Sequence, residues 1–171
     1  MGNIFQLGTP YTDALGVSAT DRDGCRRSVV MGSYGIGISR LLATLVEQHH
    51  DGRGIALTAA TASFGAHLVV LGDAGELAGI ATDLYAQCAA GGIEILWDDR
   101  DVRAGEQLAD ADLIGAAVRV TLGRSTLKDR QVELCERRTG RVHFVGQSDA
   151  AVAVAALLED LRETEEAAAT R

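Results

Sequence analysis

Proline is nearly missing from this chain of 171 residues. Pro10 stands alone, where an average composition of about 5% would supply roughly eight or nine. That scarcity excludes no fold class, but it leaves loops without fixed φ angles. Cysteine is sparse too. Cys25, Cys88 and Cys135 are three, widely spaced and without a C-x-x-C pair, which excludes a zinc ribbon or a disulfide framework and fits reduced thiols in a cytosol. No run approaches the ~18 consecutive apolar residues of a membrane span. The opening MGNIFQLGTP has neither the basic start nor the apolar stretch of a secretion signal. A cytosolic protein with no membrane partner is the expectation. Positive charge is also short: the net charge is −8 and the pI about 4.9. This excludes a generally basic nucleic-acid-binding surface but leaves room for a local patch, because part of the acidity is gathered between Glu159 and Glu166.

Apolar residues are not scarce. They make up 47% of the chain, enough for one large domain or two small ones, and the pattern divides in two. In residues 1–53, Ile4, Phe5 and Leu7 predict a strand, and apolar stretches at 14–18 and 28–31 flank Asp21-Arg22-Asp23-Gly24, a hairpin signal. The third strand leads into a glycine-rich turn, Gly32 to Gly37. Leu41, Leu42, Leu45 and Val46 then form one helical stripe ending near Gly52. Residues 54–65, small and weakly patterned, predict a linker. From residue 66 the chain alternates: strand 67–71, helix 77–90, strand 93–97, helix 107–114, strand 118–122, a hairpin of 132–137 with 141–145, and a closing helix 149–162. Strand and helix alternation at this spacing predicts parallel pairing with crossover helices, and the late hairpin makes the sheet mixed. Residues 165–171 are expected to fray. The fold class is therefore α/β: a partial antiparallel sheet, then a mixed sheet flanked by helices over 66–164.

The chemistry is concentrated in GSYGIGISR, residues 32–40. Glycines between strand and helix let backbone approach a ligand, and a helix N-terminus favours anions. The segment is not a dinucleotide fingerprint, which wants glycine where Arg40 stands, nor a P-loop, which ends in Gly-Lys-Ser/Thr. What it offers is Gly35, Gly37 and an arginine fork suited to phosphate. His49 and His50, adjacent on a helix, point about 100° apart and do not converge on a metal. No metal site is expected in this chain.

MGSYGIGISRLLATLVEQHHD resembles the third class II signature in the form used by bacterial prolyl-tRNA synthetases. GNIFQLGTPYTDALG resembles the strand and loop upstream of it, and ILWDDRDVRAGEQLADADLIG the anticodon-binding domain of the same enzymes. The resemblance covers essentially the whole chain. It implies the C-terminal part of an ATP-dependent ligase acting on proline tRNA, with ATP Mg-bound in the complete enzyme. It also implies that Arg40, Gly37 and Asn3 lie at the ATP, that Phe5, Ser33 and Gly35 line the proline pocket, and that Asp99, Arg100, Arg103 and Gln107 face the anticodon. The family's first two signatures lie upstream in its order, so this chain alone is expected to be catalytically silent and to need an N-terminal synthetase half; a homodimer is the other assembly to consider. Departures are visible. Thr58, Ser63, Ala104 and Ala117 stand where the family usually has proline, and Glu106-Gln107-Leu108 where it has Val-Lys-Phe, which implies weak tRNA binding in isolation. A non-catalytic module that binds tRNA or a protein is the alternative, and a decaying gene product a third. A chain almost free of proline codons could still be made when prolyl-tRNA runs short, although composition drift would give the same count.

Overall fold

The computed structural model describes residues 2–72 and 74–170, with the side chain of Ala74 left aside. Met1 and Arg171, the outer ends of the expected first unit and tail, lie outside the described residues. The chain divides into two compact units, Met1–Leu45 and Val46–Arg171.

In the first unit, β1 (Gly2–Gly8) pairs antiparallel with β4 (Met31–Ile36). Between them come α1 (Pro10–Leu15) and the small hairpin of β2 (Ser18–Thr20) and β3 (Arg26–Ser28). Gly24, at φ 75°, closes that hairpin as its Asp-Gly signal predicted. Two expectations are corrected here. Ala14 and Leu15 end a helix, because Pro10 at its first turn has the φ a helix start needs. The glycine-rich segment is mostly strand, because Gly32 to Ile36 pair with β1, and only Gly37 turns before α2 (Ile38–Gln48). Among the described residues of this unit, Thr12 alone is buried, its hydroxyl donating to the carbonyls of Thr9 and Val29.

The second unit opens with a hairpin, β5 (His50–Asp51) and β6 (Gly54–Ile55). Its main sheet has the order β11-β10-β9-β7-β8. β7 (Ala66–Val70) runs parallel to both β8 (Ile95–Asp98) and β9 (Val118–Leu122). β10 (Gln131–Glu136) and β11 (Val142–Gly146) add antiparallel strands, so the sheet is mixed as expected. The helices are α3 (Ala74–Ala90), α4 (Ala104–Ile114), α5 (Arg124–Asp129) and α6 (Ala150–Ala169). Alternation along the strands gives the sheet two unlike faces. Leu68, Val70, Val118, Val120, Val132 and Leu134 form an apolar core with Leu77, Ala81 and Leu84 of α3 and Val154 and Leu158 of α6. His67, Arg119, Thr121 and Glu133 occupy the alternate positions and build a polar face.

The expected linker is a structured part of this unit. Leu57 and Ala59 are 4% and 6% exposed, and the Ala59 amide donates to Glu165 Oε2 at 2.8 Å. Asp51 takes both ends of the Arg137 guanidinium at 2.8 Å, while Arg137 Nε donates to the Asp112 carbonyl at 2.9 Å. Residues 165–169, expected to fray, continue α6, and Glu165 also pairs with Arg138 at 2.7 Å.

Candidate nucleotide site and nucleic-acid interface

The β1–β4 register decides how the residues of the first unit relate. Asn3 lies opposite Gly35 and Phe5 opposite Ser33. Opposed residues of an antiparallel pair share a face, as do residues two apart on one strand. Asn3, Phe5, Ser33 and Gly35 therefore line one face of a single ribbon. Ile4, Tyr34 and Ile36 line the other and are 75%, 76% and 67% exposed. The ribbon passes through Gly37 into α2, whose third residue is Arg40. That side chain is exposed, and among the described residues no carboxylate pairs with it. A Cβ on Gly35 would meet nothing within 4 Å, and one on Gly37 would sit 3.5 Å from the Arg40 Cβ. Backbone open to approach, followed by a free guanidinium in a helix's first turn, suits a phosphate chain. His50, considered above for a metal, instead sets Nδ1 3.2 Å from the Val46 carbonyl.

In the second unit, residues 99–103 follow β8, the edge strand. Asp98 is buried at its end and grips Arg100 at 2.8 Å through each oxygen. Arg100 reaches Asp110 of α4 as well, at 2.7 Å. The bonded guanidinium holds the Asp98 carboxyl below its ordinary pKa of 3.8, against the opposing effect of burial. Asp99 and Arg103 are exposed, with Arg103 at the N-cap of α4. Gln107 differs from the other three. It is 3% exposed, and its amide donates to the Arg100 carbonyl at 3.2 Å, supporting the loop from beneath. It borders a recess of 80 Å³ together with Trp97, Asp98, Asp99 and Arg100.

Sequence reasoning missed the residues that fix this loop, Asp98 and Asp110. Asp98 carried a signal: a carboxylate directly after the apolar run Ile95-Leu96-Trp97 ends a buried strand and needs a partner. It also missed His67 on β7, which is 1% exposed and whose ring nitrogens bond to nothing among the described residues.

The chain and its fold find counterparts among known proteins. A family model described as an anticodon binding domain matches residues 66–163. A proline–tRNA ligase of Salinispora tropica is 47% identical over 141 residues, covering 82% of this chain and 24% of that protein. The ligase of Exiguobacterium sibiricum is 40% identical over 163 residues, covering 95% and 29%. A crystal structure of prolyl-tRNA synthetase from Cryptosporidium parvum, complexed with L-proline and AMP, superposes with a TM-score of 0.81 at 18% identity, over 95% of this chain and 36% of that one. The chain belongs to the family of anticodon-binding domains. Its relatives narrow that class, for what it corresponds to is the C-terminal part of a prolyl-tRNA synthetase. It spans about a quarter of the length of the curated relatives it matches.

Proposed function

We propose that this chain serves the ATP-dependent attachment of proline to its tRNA, holding the anticodon on the second unit and supplying part of the nucleotide and proline site on the first. The observation that carries the reading is the ribbon register, which gathers Asn3, Phe5, Ser33 and Gly35 on one face and leads to Arg40, which no carboxylate pairs among the described residues. Arg40 and the backbone at Gly37 would hold the phosphates of Mg-bound ATP, with Asn3 beside them. Phe5, Ser33 and Gly35 would border the proline ring and its carboxylate. ATP would supply the adenylyl group that activates the proline carboxylate, with pyrophosphate leaving; these residues would orient it and stabilise its charge. Asp99, Arg100 and Arg103 would meet the anticodon in the cytosol, where proline tRNA is found, with Gln107 bracing their loop from beneath. The ribbon's opposite face, Ile4, Tyr34 and Ile36, would be covered by the remaining synthetase sheet, contributed by an N-terminal half, with a second copy as the other assembly.

The test is proline-dependent exchange of pyrophosphate into ATP. The 171-residue chain alone should sit at background, and mixing it with the N-terminal part of a relative should restore exchange that Arg40→Ala abolishes. Exchange by the chain alone within about tenfold of a full-length relative, about 1.4 kcal/mol in barrier, would refute the division of labour. Restored exchange indifferent to Arg40 would refute the site.

A further inference from the structure

The main sheet has two edge strands, β8 and β11, and they present unlike surfaces. β8 begins and ends on buried residues, Ile95 and Asp98, whereas β11 carries Val142 and Phe144 at 45% and 57% exposure. Two bonds fix the phase of the β10–β11 ladder. The Glu136 amide donates to the Arg141 carbonyl, and the Gln147 amide to the Arg130 carbonyl, each at 2.9 Å. Along an antiparallel strand, residues bonded to the neighbour alternate with residues whose N–H and C=O point away from it. His143 and Val145 therefore bond to β10, while Val142, Phe144 and Gly146 turn their amides and carbonyls outward. Among the described residues those groups take part in no other backbone hydrogen bond.

Such an edge is a template for another strand, and sheets that avoid pairing blunt it with lysine, proline, a bulge or a covering loop. β11 has neither lysine nor proline, and its register runs unbroken from Gln131 opposite Gly146 to Cys135 opposite Val142. A second β11 matches it. Turned antiparallel about Phe144, a second copy sets Phe144 against Phe144 and Val142 against Gly146. Each of these pairs joins residues whose backbone groups are free, and the register uses all five residues of the strand. The two Phe144 rings then meet across the axis, and cross-strand aromatic pairs stabilise a ladder. Charge agrees. Arg141 precedes the strand, mostly exposed and only 3.7 Å from its partner Glu136. Asp149 stands at the other end, where its Oδ2 would lie 3.4 Å from a Cβ on Gly146. It is exposed, and among the described residues no cation pairs with it. Antiparallel pairing brings the start of one strand to the end of the other, so each Arg141 approaches the Asp149 of the other copy.

We propose that β11 is a self-association edge: two copies of this chain pair antiparallel through residues 142–146 and join their sheets into one. A two-fold contact occupies both edges and closes at two copies. β8 and the loop assigned above to tRNA lie at the far edge of each sheet and stay open. The pairing requires neither the tRNA reading nor any particular cover for the first unit's ribbon.

Sedimentation equilibrium of the whole chain at low salt, beside thermal melts, tests it. Wild type should reach the mass of two 17.9 kDa chains, with a micromolar Kd suited to a small interface. Phe144→Pro removes the outward amide on the axis, a place where an edge strand tolerates proline. It should melt cooperatively yet sediment as a monomer. Should the proline variant not fold, Phe144→Lys decides, since like charges on the axis should weaken the dimer tenfold or more, a change of roughly one decade in Kd. Asp149 makes no capping hydrogen bond, so Asp149→Lys keeps the fold and sets cations together at both ends. It should weaken the dimer about tenfold. Tyr34→Lys, on the ribbon, should leave it unchanged. A wild type that is monomeric at ~100 μM, far above a micromolar Kd, overturns the proposal. So does a dimer that survives substitution at Phe144, one indifferent to Asp149→Lys, one lost in Tyr34→Lys, or assembly beyond two copies.

Discussion

Gly115→Ala tests whether the hairpin of β5 and β6 is built into the second unit. Gly115 ends α4 at φ 73°, and a Cβ there would lie 2.3 Å from the Ile55 carbonyl oxygen and 2.8 Å from its carbon. The obstacle is backbone, so no rotamer change relieves it. From the other side, a Cβ on Gly54 would lie 2.5 Å from the Leu113 Cα. Gly92 provides a matched control in the same unit: it follows α3 at φ 77°, with nothing within 4 Å of an added Cβ. Gly92→Ala should cost about 1–2 kcal/mol for the left-handed backbone alone. Gly115→Ala adds an overlap that must push the hairpin away, and forced packing costs about 1–3 kcal/mol more. At roughly 2–4 °C per kcal/mol for a chain of this size, Tm should fall by about 2–8 °C for Gly92→Ala and about 4–20 °C for Gly115→Ala. Differential scanning calorimetry of the two variants beside wild type measures this. Equal losses would mean that residues 50–55 do not press on α4 in solution, and the integration of the hairpin would be wrong.

Three further outcomes follow from the same contacts. Limited proteolysis should spare residues 57–62 in wild type and open them in Glu165→Ala, which frees the Ala59 amide and Arg138 together; early cleavage of wild type there would contradict the packing. Asp98 is held below its ordinary 3.8 by Arg100, so its contribution to stability is present above that value and is lost as pH falls through the lower folded one. Asp98→Asn should therefore be less stable than wild type at neutral pH and lose less on acidification below about pH 4, as read from urea midpoints; parallel acid limbs would argue against the pair. Gln107→Lys sets a lysine at the recess with Asp98, Asp99 and Arg100. With its long stem carrying the charge out of the recess, it should strengthen proline-tRNA binding by about 1–2 kcal/mol, with the gain shrinking as salt rises; unchanged titrations would show that position 107 acts only beneath the loop.

The alternating strands and helices after residue 66 were legible because each is long enough to show its own period: Leu68, Val69 and Val70 as a buried strand, Leu77, Ala81 and Leu84 as one helix face. The nucleotide residues were legible through family resemblance, while the ribbon that aligns them needed the register of β1 with β4. The hairpin at 50–55 was not legible, for strands of two residues have no period, and their anchor Arg137 lies 86 residues away. Nor was the full length of α6, because its polar end is held by Arg138 and Ala59, not by an apolar stripe. His67 looked like one more residue of a buried strand, and only three-dimensional contact shows that its ring is unpartnered.

The clasp between Ala59 and Glu165 also bears on the order in which the chain can fold. β7, made early, is an interior strand of the sheet, and neither neighbour exists until β8 and β9 have been synthesised. Glu165 arrives 106 residues after the amide it caps. A growing chain therefore holds β7 unpaired until β8 and β9 emerge and 57–62 uncapped until α6 does, the non-local wiring that slows folding and leaves an unpaired strand open to aggregation. Chains stalled before residue 165 should be the ones that call on chaperones.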